Sequence, residues 1–224
     1  MPMPVLLAWS GGKDSSLALA RLQRDPDWRV CALITAVTAD YDRVSIHGVR
    51  RDLLERQAAA IDLPLVVAPL EAGAPNAAYE RSWAAALDDA SARFDGARHV
   101  AYGDLFLEDV RAYREAQLRP LGYTPVYPIW GENTAALARA FIDDGFRAVL
   151  TCVDTTQLDG SFAGRAFDDR LLADLPPTVD PCGERGEFHT CVWDGPHMRH
   201  PVAITAGERV LRDDRFQYCD FLAT

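Results

Sequence analysis

Strand-like and helix-like segments alternate along the first two-thirds of the chain, and this alternation limits the fold more than any other feature. Short apolar runs with the length of buried strands occupy residues 4–9, 30–37, 63–70, 97–103 and 124–130. A segment with the apolar spacing of a helix follows each run, at residues 15–24, 49–61, 77–94, 109–122 and 134–145. Parallel strands need long crossover connections, usually helices. The order therefore predicts the α/β class, as a doubly wound, Rossmann-like parallel sheet with helices on both faces.

The pattern changes after about residue 130. One further apolar run at residues 148–153 suggests another strand-and-helix step, and a loop-rich region follows it. The remaining apolar runs, at 188–194, 201–212 and 216–222, favour strands, with a turn expected at residues 206–208. We therefore predict two domains, an α/β unit at residues 1–130 and a smaller α+β unit at residues 131–224.

The composition argues against some classes of protein. Acidic residues outnumber basic ones by 33 to 23, and the resulting net charge of −10 argues against a nucleic-acid partner. No uninterrupted apolar stretch approaches the ~18 residues of a membrane span, and no basic leader precedes the first apolar run. The five cysteines include no CxxC pair, which is typical of reduced thiols. These features predict a cytoplasmic protein with no membrane partner.

The junction between the first strand and the first helix has the sequence SGGKDSS, residues 10–16. Its glycines let backbone N–H groups point at a ligand, its serines supply hydroxyl donors, and the following helix presents its positive end. Lys13 is the only lysine among 23 basic residues, so this position favours a compact ammonium over a planar guanidinium. We predict a phosphate-binding loop made of Ser10, Gly11, Gly12, Lys13, Asp14, Ser15 and Ser16.

Two other phosphate motifs do not fit this loop. A Walker A loop needs glycine where this chain has Leu7, and Ser or Thr where it has Asp14. The dinucleotide motif GxGxxG fails because the segment offers the Gly11–Gly12 pair alone. One simpler alternative stays open from the residues themselves, namely a glycine turn in which Asp14 or Ser15 caps the first helix.

Other candidates follow the second and fourth predicted strands, at the edge where open α/β sheets bind ligands. Asp104 comes directly after Gly103 and is the candidate Mg²⁺ ligand, with Glu108 behind it. The alternative role for Asp104 is to cap the next helix. His47 lies in the loop after the second strand, where a nucleotide contact and a solvated surface position are equal alternatives.

The six residues Ser10–Ser15 resemble the signature of the PP-loop ATP pyrophosphatases, which cleave ATP between the α and β phosphates. Three further segments resemble the N-type ATP pyrophosphatase family that includes diphthine–ammonia ligase: AYGDLFLEDVRAYRE (101–115), PIWGENT (128–134) and DPCGERGEFHTCVWDGP (180–196). The resemblance covers nearly the full length, and the last segment is its most specific part.

This resemblance implies a fold, a reaction and roles for residues. The first domain is expected to bind ATP with Mg²⁺, and the second to bring its Gly- and Glu-rich motif into the cleft. The family reaction converts a carboxylate into its acyl-adenylate, with release of pyrophosphate, and ammonia then forms the amide. Lys13 would stabilise charge during attack on the α-phosphate. Glu184, Glu187 and His189 would handle the acceptor or the ammonia.

The strand pattern gives an independent reason to consider two of these residues. If residues 187–193 form a strand, alternation places Glu187, His189 and Cys191 on one face and Phe188, Thr190 and Val192 on the other. A carboxylate and an imidazole on one face can take a proton from ammonia. The alternative is an ordinary exposed strand face beside a glycine turn.

The identity of the acceptor stays open at this stage. The Arg- and Ala-rich composition resembles that of bacterial proteins, whereas diphthamide belongs to eukaryotes and archaea. The expected acceptor is therefore another carboxylate, on a small molecule or a protein side chain. The alternatives to a ligase are a PP-loop tRNA-modifying enzyme and a non-catalytic ATP-binding sensor, and the resemblance allows a homodimer.

Overall fold

The computed structural model describes residues 1–44 and 47–224, and five strands within them form a parallel sheet in the order 3-2-1-4-5. The strands are β1 (Met3–Ala8), β2 (Trp28–Thr38), β3 (Leu65–Leu70), β4 (His99–Ala101) and β5 (Thr124–Val126). The central strands are apolar on both faces, as expected of a parallel sheet covered on both sides.

Helices cover this sheet on both faces. Among them are α1 (Lys13–Arg24), α2 (Arg51–Ile61), α3 (Asn76–Arg93) and α4 (Glu108–Leu118). A further helix, α5 (Thr134–Asp143), follows β5 and packs in the same hydrophobic cluster as α1. Successive residues of β1 belong to different cores: Leu7 packs in a cluster with Leu19 of α1 and Leu53 of α2, and Leu6 packs in a cluster with Leu87 of α3. The predicted doubly wound α/β class is confirmed.

The C-terminal part forms a second, antiparallel sheet. Its strands are β6 (Arg147–Asp154), β7 (Phe188–Asp194), β8 (Ile204–Arg212) and β9 (Phe216–Ala223), in the order 7-6-9-8, and the short helix α6 (Asp169–Asp174) lies between β6 and β7. The predicted smaller domain is therefore present as a separate sheet. The predicted boundary at residue 130 falls between Val126, where the parallel sheet ends, and Arg147, where the antiparallel sheet begins.

Two expectations for this part were wrong. The run at 148–153 is not a further strand-and-helix step, because β6 pairs antiparallel with both β7 and β9. The expected turn at 206–208 is also absent from the described chain, since β8 continues through it and pairs with β9 on both sides. A register shift between Ala206 and Arg209 accommodates the glycine there without reversing the strand.

The antiparallel sheet packs on α1 and α2, so one hydrophobic cluster runs from Leu7 in the first sheet to Val192 in the second. Backbone contact is direct, because the Val192 N–H donates to the Gly11 carbonyl at 2.8 Å. The glycine loop is therefore held between the two sheets. Among the described residues, no helix is both long and apolar enough to cross a membrane.

Candidate functional site

A cavity of about 310 Å³ opens at the carboxyl edge of the parallel sheet, with one wall from each domain. The end of β1, the middle of β2 and the loop after β4 form the first wall, which is where an open α/β sheet binds ligands. The loop before β7 and the start of β7 form the second wall. The predicted site residues that line it are Ser10, Lys13, Asp14, Ser15, His47, Gly103, Asp104, Glu184 and His189.

The glycine loop forms a tight turn that leads into α1. The Ser10 hydroxyl accepts the Gly12 N–H at 3.2 Å, and the hydroxyls of Ser15 and Ser16 each donate to the Gly12 carbonyl at 3.0 Å. Gly11, Gly12 and Ser16 do not line the cavity. Their predicted phosphate contacts stay predictions, whereas Ser10 and Ser15 line the cavity.

Two glycines are needed here because of close approaches. Gly11 has φ +77°, and a Cβ there would lie 2.7 Å from the Gln57 Oε1 atom. The Gln57 amide is fully buried and donates to the carbonyls of Gly11 at 3.0 Å and Val192 at 2.6 Å, which ties the loop to α2 and β7. A Cβ on Gly103 would lie 2.7 Å from the backbone of Asp14, so Gly103 lets the loop after β4 meet the start of α1.

Lys13 is buried at the head of α1, with 2 % of its surface exposed. Its Nζ donates to both oxygens of Asp14, at 2.6 and 2.8 Å, and lies 5.9 Å from the centre of the Phe188 ring. Burial is the largest single influence and would lower the pKa of Lys13, but the charge and hydrogen bond of Asp14, together with Cys182 and Glu184, outweigh it and the pKa is raised. Lys13 is therefore a fixed positive charge at the cavity wall.

Glu184 faces the same cavity from the second domain. Its Oε1 accepts the Leu105 N–H at 2.9 Å, which joins the loop before β7 to the loop after β4. Burial raises the pKa of Glu184 to about 7, although the hydrogen bond from Leu105 opposes the shift. A carboxyl group with this pKa can both take and release a proton at neutral pH.

His47 and His189 meet across the boundary between the domains, with ring centroids 4.4 Å apart. Burial, together with the charge of Lys13, lowers the pKa of His47 to about 4. Burial also holds the pKa of His189 well below its ordinary value, with smaller effects from His47 and Lys13. Both imidazoles are therefore neutral at pH 7 and can accept hydrogen bonds.

The second domain also fastens the segment that carries His47. Asp220 on β9 accepts from Arg43 Nη1 at 2.6 Å and from Arg50 Nη2 at 2.6 Å, and these arginines flank His47 in sequence. Burial alone would raise the pKa of Asp220, but the two arginines hold that pKa well below its usual range. Gly48 completes this contact, because a Cβ there would lie 2.8 Å from the Tyr218 ring.

Glu187 does not line the cavity, which corrects the expectation that it faces the cleft with His189. Its side chain is 1 % exposed and accepts the N–H groups of Asp180 at 2.8 Å and Arg185 at 2.9 Å, so it organises the loop before β7. Strand alternation does not extend to Glu187, because β7 begins at Phe188 and Glu187 belongs to the preceding loop. Because Glu187 does not line the cavity, no contact there supports its predicted role in handling the acceptor or the ammonia.

Asp104 lies in the cavity wall as the sequence predicts, but both of its oxygens are engaged. Arg114 Nε donates to Oδ2 at 2.6 Å, and its Nη2 donates to Oδ1 at 3.2 Å. Glu108, expected behind it, begins α4 as an exposed residue and does not line the cavity. Within residues 1–44 and 47–224, no group of three His, Cys, Asp or Glu side chains is placed to hold a metal.

Several cavity residues were missed from the sequence. Thr35 of β2 is 1 % exposed and its hydroxyl has no hydrogen-bond partner among the described residues, although the strand looks uniformly apolar. Tyr79 and Trp83 stack on α3 with centroids 6.1 Å apart, a spacing that favours ordinary core packing. Tyr102, directly before Gly103, could have been found from its position at the end of β4.

Comparison with known families agrees with this geometry. The model described as the diphthamide synthase N-terminal domain matches residues 3–122, which is more than half of the chain, and the model described as the diphthamide synthase C-terminal domain matches residues 133–220. No curated protein matches the chain. The first match covers β1 to β4 with the glycine loop, and the second covers β6 to β8 and most of β9 with the Gly- and Glu-rich motif. The chain therefore belongs to the diphthamide synthase family of PP-loop, ATP-utilising enzymes.

Proposed function

We propose that this protein uses ATP to activate a carboxylate as its acyl-adenylate, releases pyrophosphate, and then forms an amide with ammonia. One observation carries the proposal: Lys13, a buried cation on the phosphate loop, and Glu184, a carboxyl group with a pKa of about 7, line the same cavity from different domains. The reaction needs both, a charge for the phosphates and a group that exchanges protons near neutral pH.

The cavity supports nucleotide binding on the first-domain wall. The phosphates would lie against Ser10, Lys13 and Ser15 at the positive end of α1. The Thr35 hydroxyl, which has no partner among the described residues, is a donor for the nucleoside. A buried hydroxyl without a partner is costly, so a ligand group at this position is the simplest explanation for it.

The donor set also suits Mg²⁺ held together with phosphates. Mg²⁺ in nucleotide sites is usually bound by one or two carboxylates plus phosphate oxygens. Asp104 and Asp14 both line the cavity and can supply such oxygens, provided that Arg114 yields one oxygen of Asp104 and Lys13 yields one oxygen of Asp14. When bound, Mg²⁺ would neutralise part of the phosphate charge.

The residues that line the cavity can serve both chemical steps, formation of the acyl-adenylate and formation of the amide. In the first, an acceptor carboxylate oxygen bonds to the α-phosphorus while the bond to the β-phosphate oxygen breaks, and Lys13 stabilises the developing charge. In the second, ammonia bonds to the acyl carbon, AMP departs, and one proton is released. Glu184 takes this proton, and the neutral rings of His47 and His189 accept hydrogen bonds that orient ammonia.

Product analysis tests this proposal. The protein is incubated with ATP, Mg²⁺, ammonium and a panel of small carboxylates, and nucleotides are separated by chromatography. AMP and pyrophosphate are expected, and hydroxylamine in place of ammonium should trap the acyl-adenylate as a hydroxamate. Lys13→Arg is the control: its planar group does not fit this buried position, so AMP formation should disappear.

Three outcomes would contradict the proposal in different ways. ADP and phosphate as main products would exclude cleavage between the α and β phosphates. AMP formation that persists in Lys13→Arg at an unchanged melting temperature would remove Lys13 from the reaction. ATP binding without turnover on any carboxylate would favour the sensor alternative.

A further inference from the structure

Thr190 of β7 lies where the second domain touches the phosphate loop. Its hydroxyl oxygen accepts the Lys13 N–H at 3.0 Å, and its side chain lines the cavity. The fit is close, because a Cβ on Gly12 would lie 3.1 Å from the Thr190 carbonyl oxygen and 3.4 Å from its Oγ1. Glycine at position 12 therefore lets the loop sit on β7.

The hydroxyl of Thr190 keeps one proton to donate. A threonine hydroxyl can accept and donate at once, and among the described residues Lys13 is its one hydrogen-bond partner. Thr190 is 3 % exposed, so bulk water reaches it only through the cavity. The Lys13 N–H is one of the backbone donors that the first turn of a helix leaves unpaired. Thr190 takes up this donor, and its own O–H remains available to donate to a group in the cavity that the residue lines.

We propose that Thr190 is a phosphate ligand supplied by the second domain. Its hydroxyl accepts from the Lys13 N–H and donates to a phosphate oxygen of ATP, so the polyphosphate site is complete only when β7 lies against the loop. This proposal rests on the phosphate-binding part of the proposed function. It departs from a division in which the first domain alone binds ATP and the second handles only the acceptor.

Three variants isolate the hydroxyl. Thr190→Val removes it with little change of volume, Thr190→Ala gives a second hydroxyl-free variant, and Thr190→Ser retains it. Thr151→Val is the matched control, because Thr151 is also 3 % exposed, lies on the neighbouring strand β6 and donates to the His189 carbonyl at 3.3 Å, but does not line the cavity.

Calorimetry of the full-length protein measures binding of three probes: inorganic pyrophosphate, the non-hydrolysable α,β-methylene analogue of ATP, and adenosine. Loss of one hydrogen bond to a charged group corresponds to about a 10- to 100-fold weaker affinity. This loss is expected for pyrophosphate and the analogue in Thr190→Val and Thr190→Ala. Adenosine binding should not change, and Thr190→Ser and Thr151→Val should bind all probes like the wild type.

The outcomes separate this proposal from the proposed ligase function. Wild-type affinity for pyrophosphate in a folded Thr190→Val or Thr190→Ala protein would overturn it, as would an equal loss of adenosine binding or a loss in Thr151→Val. A wild-type protein that binds neither phosphate probe would overturn it together with the proposed function. Because binding is measured without turnover, the expected pattern in a protein that makes no amide would support Thr190 and reject the ligase function.

Discussion

Because His197 is buried, we predict that it makes the stability of the protein depend on pH. Its ring is 7 % exposed and packs against Trp9 and Phe146, with centroid distances of 6.3 and 5.1 Å. Neither ring nitrogen has a hydrogen-bond partner among the described residues. Burial lowers the pKa of His197 from its ordinary 6.5 to about 4. The folded protein therefore excludes a proton that the unfolded chain accepts.

The sign and size of the effect follow from proton linkage. Above about pH 6.5 the residue is neutral in both states and adds no pH dependence. As the pH falls toward 4, the unfolded chain binds the proton first, so the free energy of unfolding decreases. A pKa lowered from 6.5 to about 4 reduces the free energy of unfolding by about 2 kcal/mol at about pH 5 and by about 3 kcal/mol below about pH 4.

His197→Phe should remove this loss, because phenylalanine suits the aromatic surroundings and cannot be protonated. Urea unfolding, monitored by circular dichroism at about pH 7.5 and about pH 5, measures the free energy of unfolding at each pH. Between these two pH values that free energy should fall by about 2 kcal/mol more in the wild type than in the variant. His200→Gln is the control, because His200 is exposed and its replacement should preserve the wild-type loss. An equal loss in His197→Phe and the wild type would refute the reasoning.

Two further predictions concern the cavity. Glu184→Gln keeps a hydrogen-bond acceptor but cannot exchange a proton, so amide formation should slow about 10²- to 10⁴-fold. The inflection that a pKa of about 7 gives to the pH–rate profile should also disappear. Asp220→Asn should loosen the segment that Arg43 and Arg50 fasten, so an NMR titration of the ring protons should find the pKa of His47 raised from about 4 toward 6.5.

Each of these predictions has a result that would contradict it. Glu132→Gln is the matched control for Asp220→Asn, because Glu132 forms a similar half-buried fork with Arg21, at 3.2 and 3.0 Å, and lines no part of the cavity. An unchanged pKa of His47 in Asp220→Asn would show that other contacts hold the ring. An unchanged pH–rate profile in Glu184→Gln would assign the proton to another group.

The sequence predicts the parallel sheet well because its signals are local. Apolar runs and helical spacing identify β1 to β5 and their helices, and the position of a strand end places Lys13 and Asp104 at one edge of the sheet. The antiparallel sheet is harder. The run at 148–153 has the composition of a buried strand in either kind of sheet, so only its pairing with β7 and β9 shows its direction.

The errors in the site lie near the start of β7. Alternation grouped Glu187 with His189 and placed Thr190 on the other face, but Glu187 lies before β7, which begins at Phe188, and His189 and Thr190 both line the cavity. The partners of Glu187 are backbone N–H groups of its own loop, and no residue pattern indicates them. Hydrogen bonds inside an irregular loop therefore decide the position of Glu187, and strand periodicity does not predict them.

The charges of the cavity suggest how ATP enters it. Among the described lining residues the cations are Lys13 and Arg114, and each is already paired with a carboxylate of the same wall, Lys13 with Asp14 and Arg114 with Asp104. The histidines are neutral, so the described cavity has little positive charge to offer a polyanion. Lys13 and Arg114 can bind phosphate groups only if another cation binds the carboxylates of Asp14 and Asp104 in their place. If the proposed function holds, we therefore expect ATP to enter together with a divalent cation and not as free ATP.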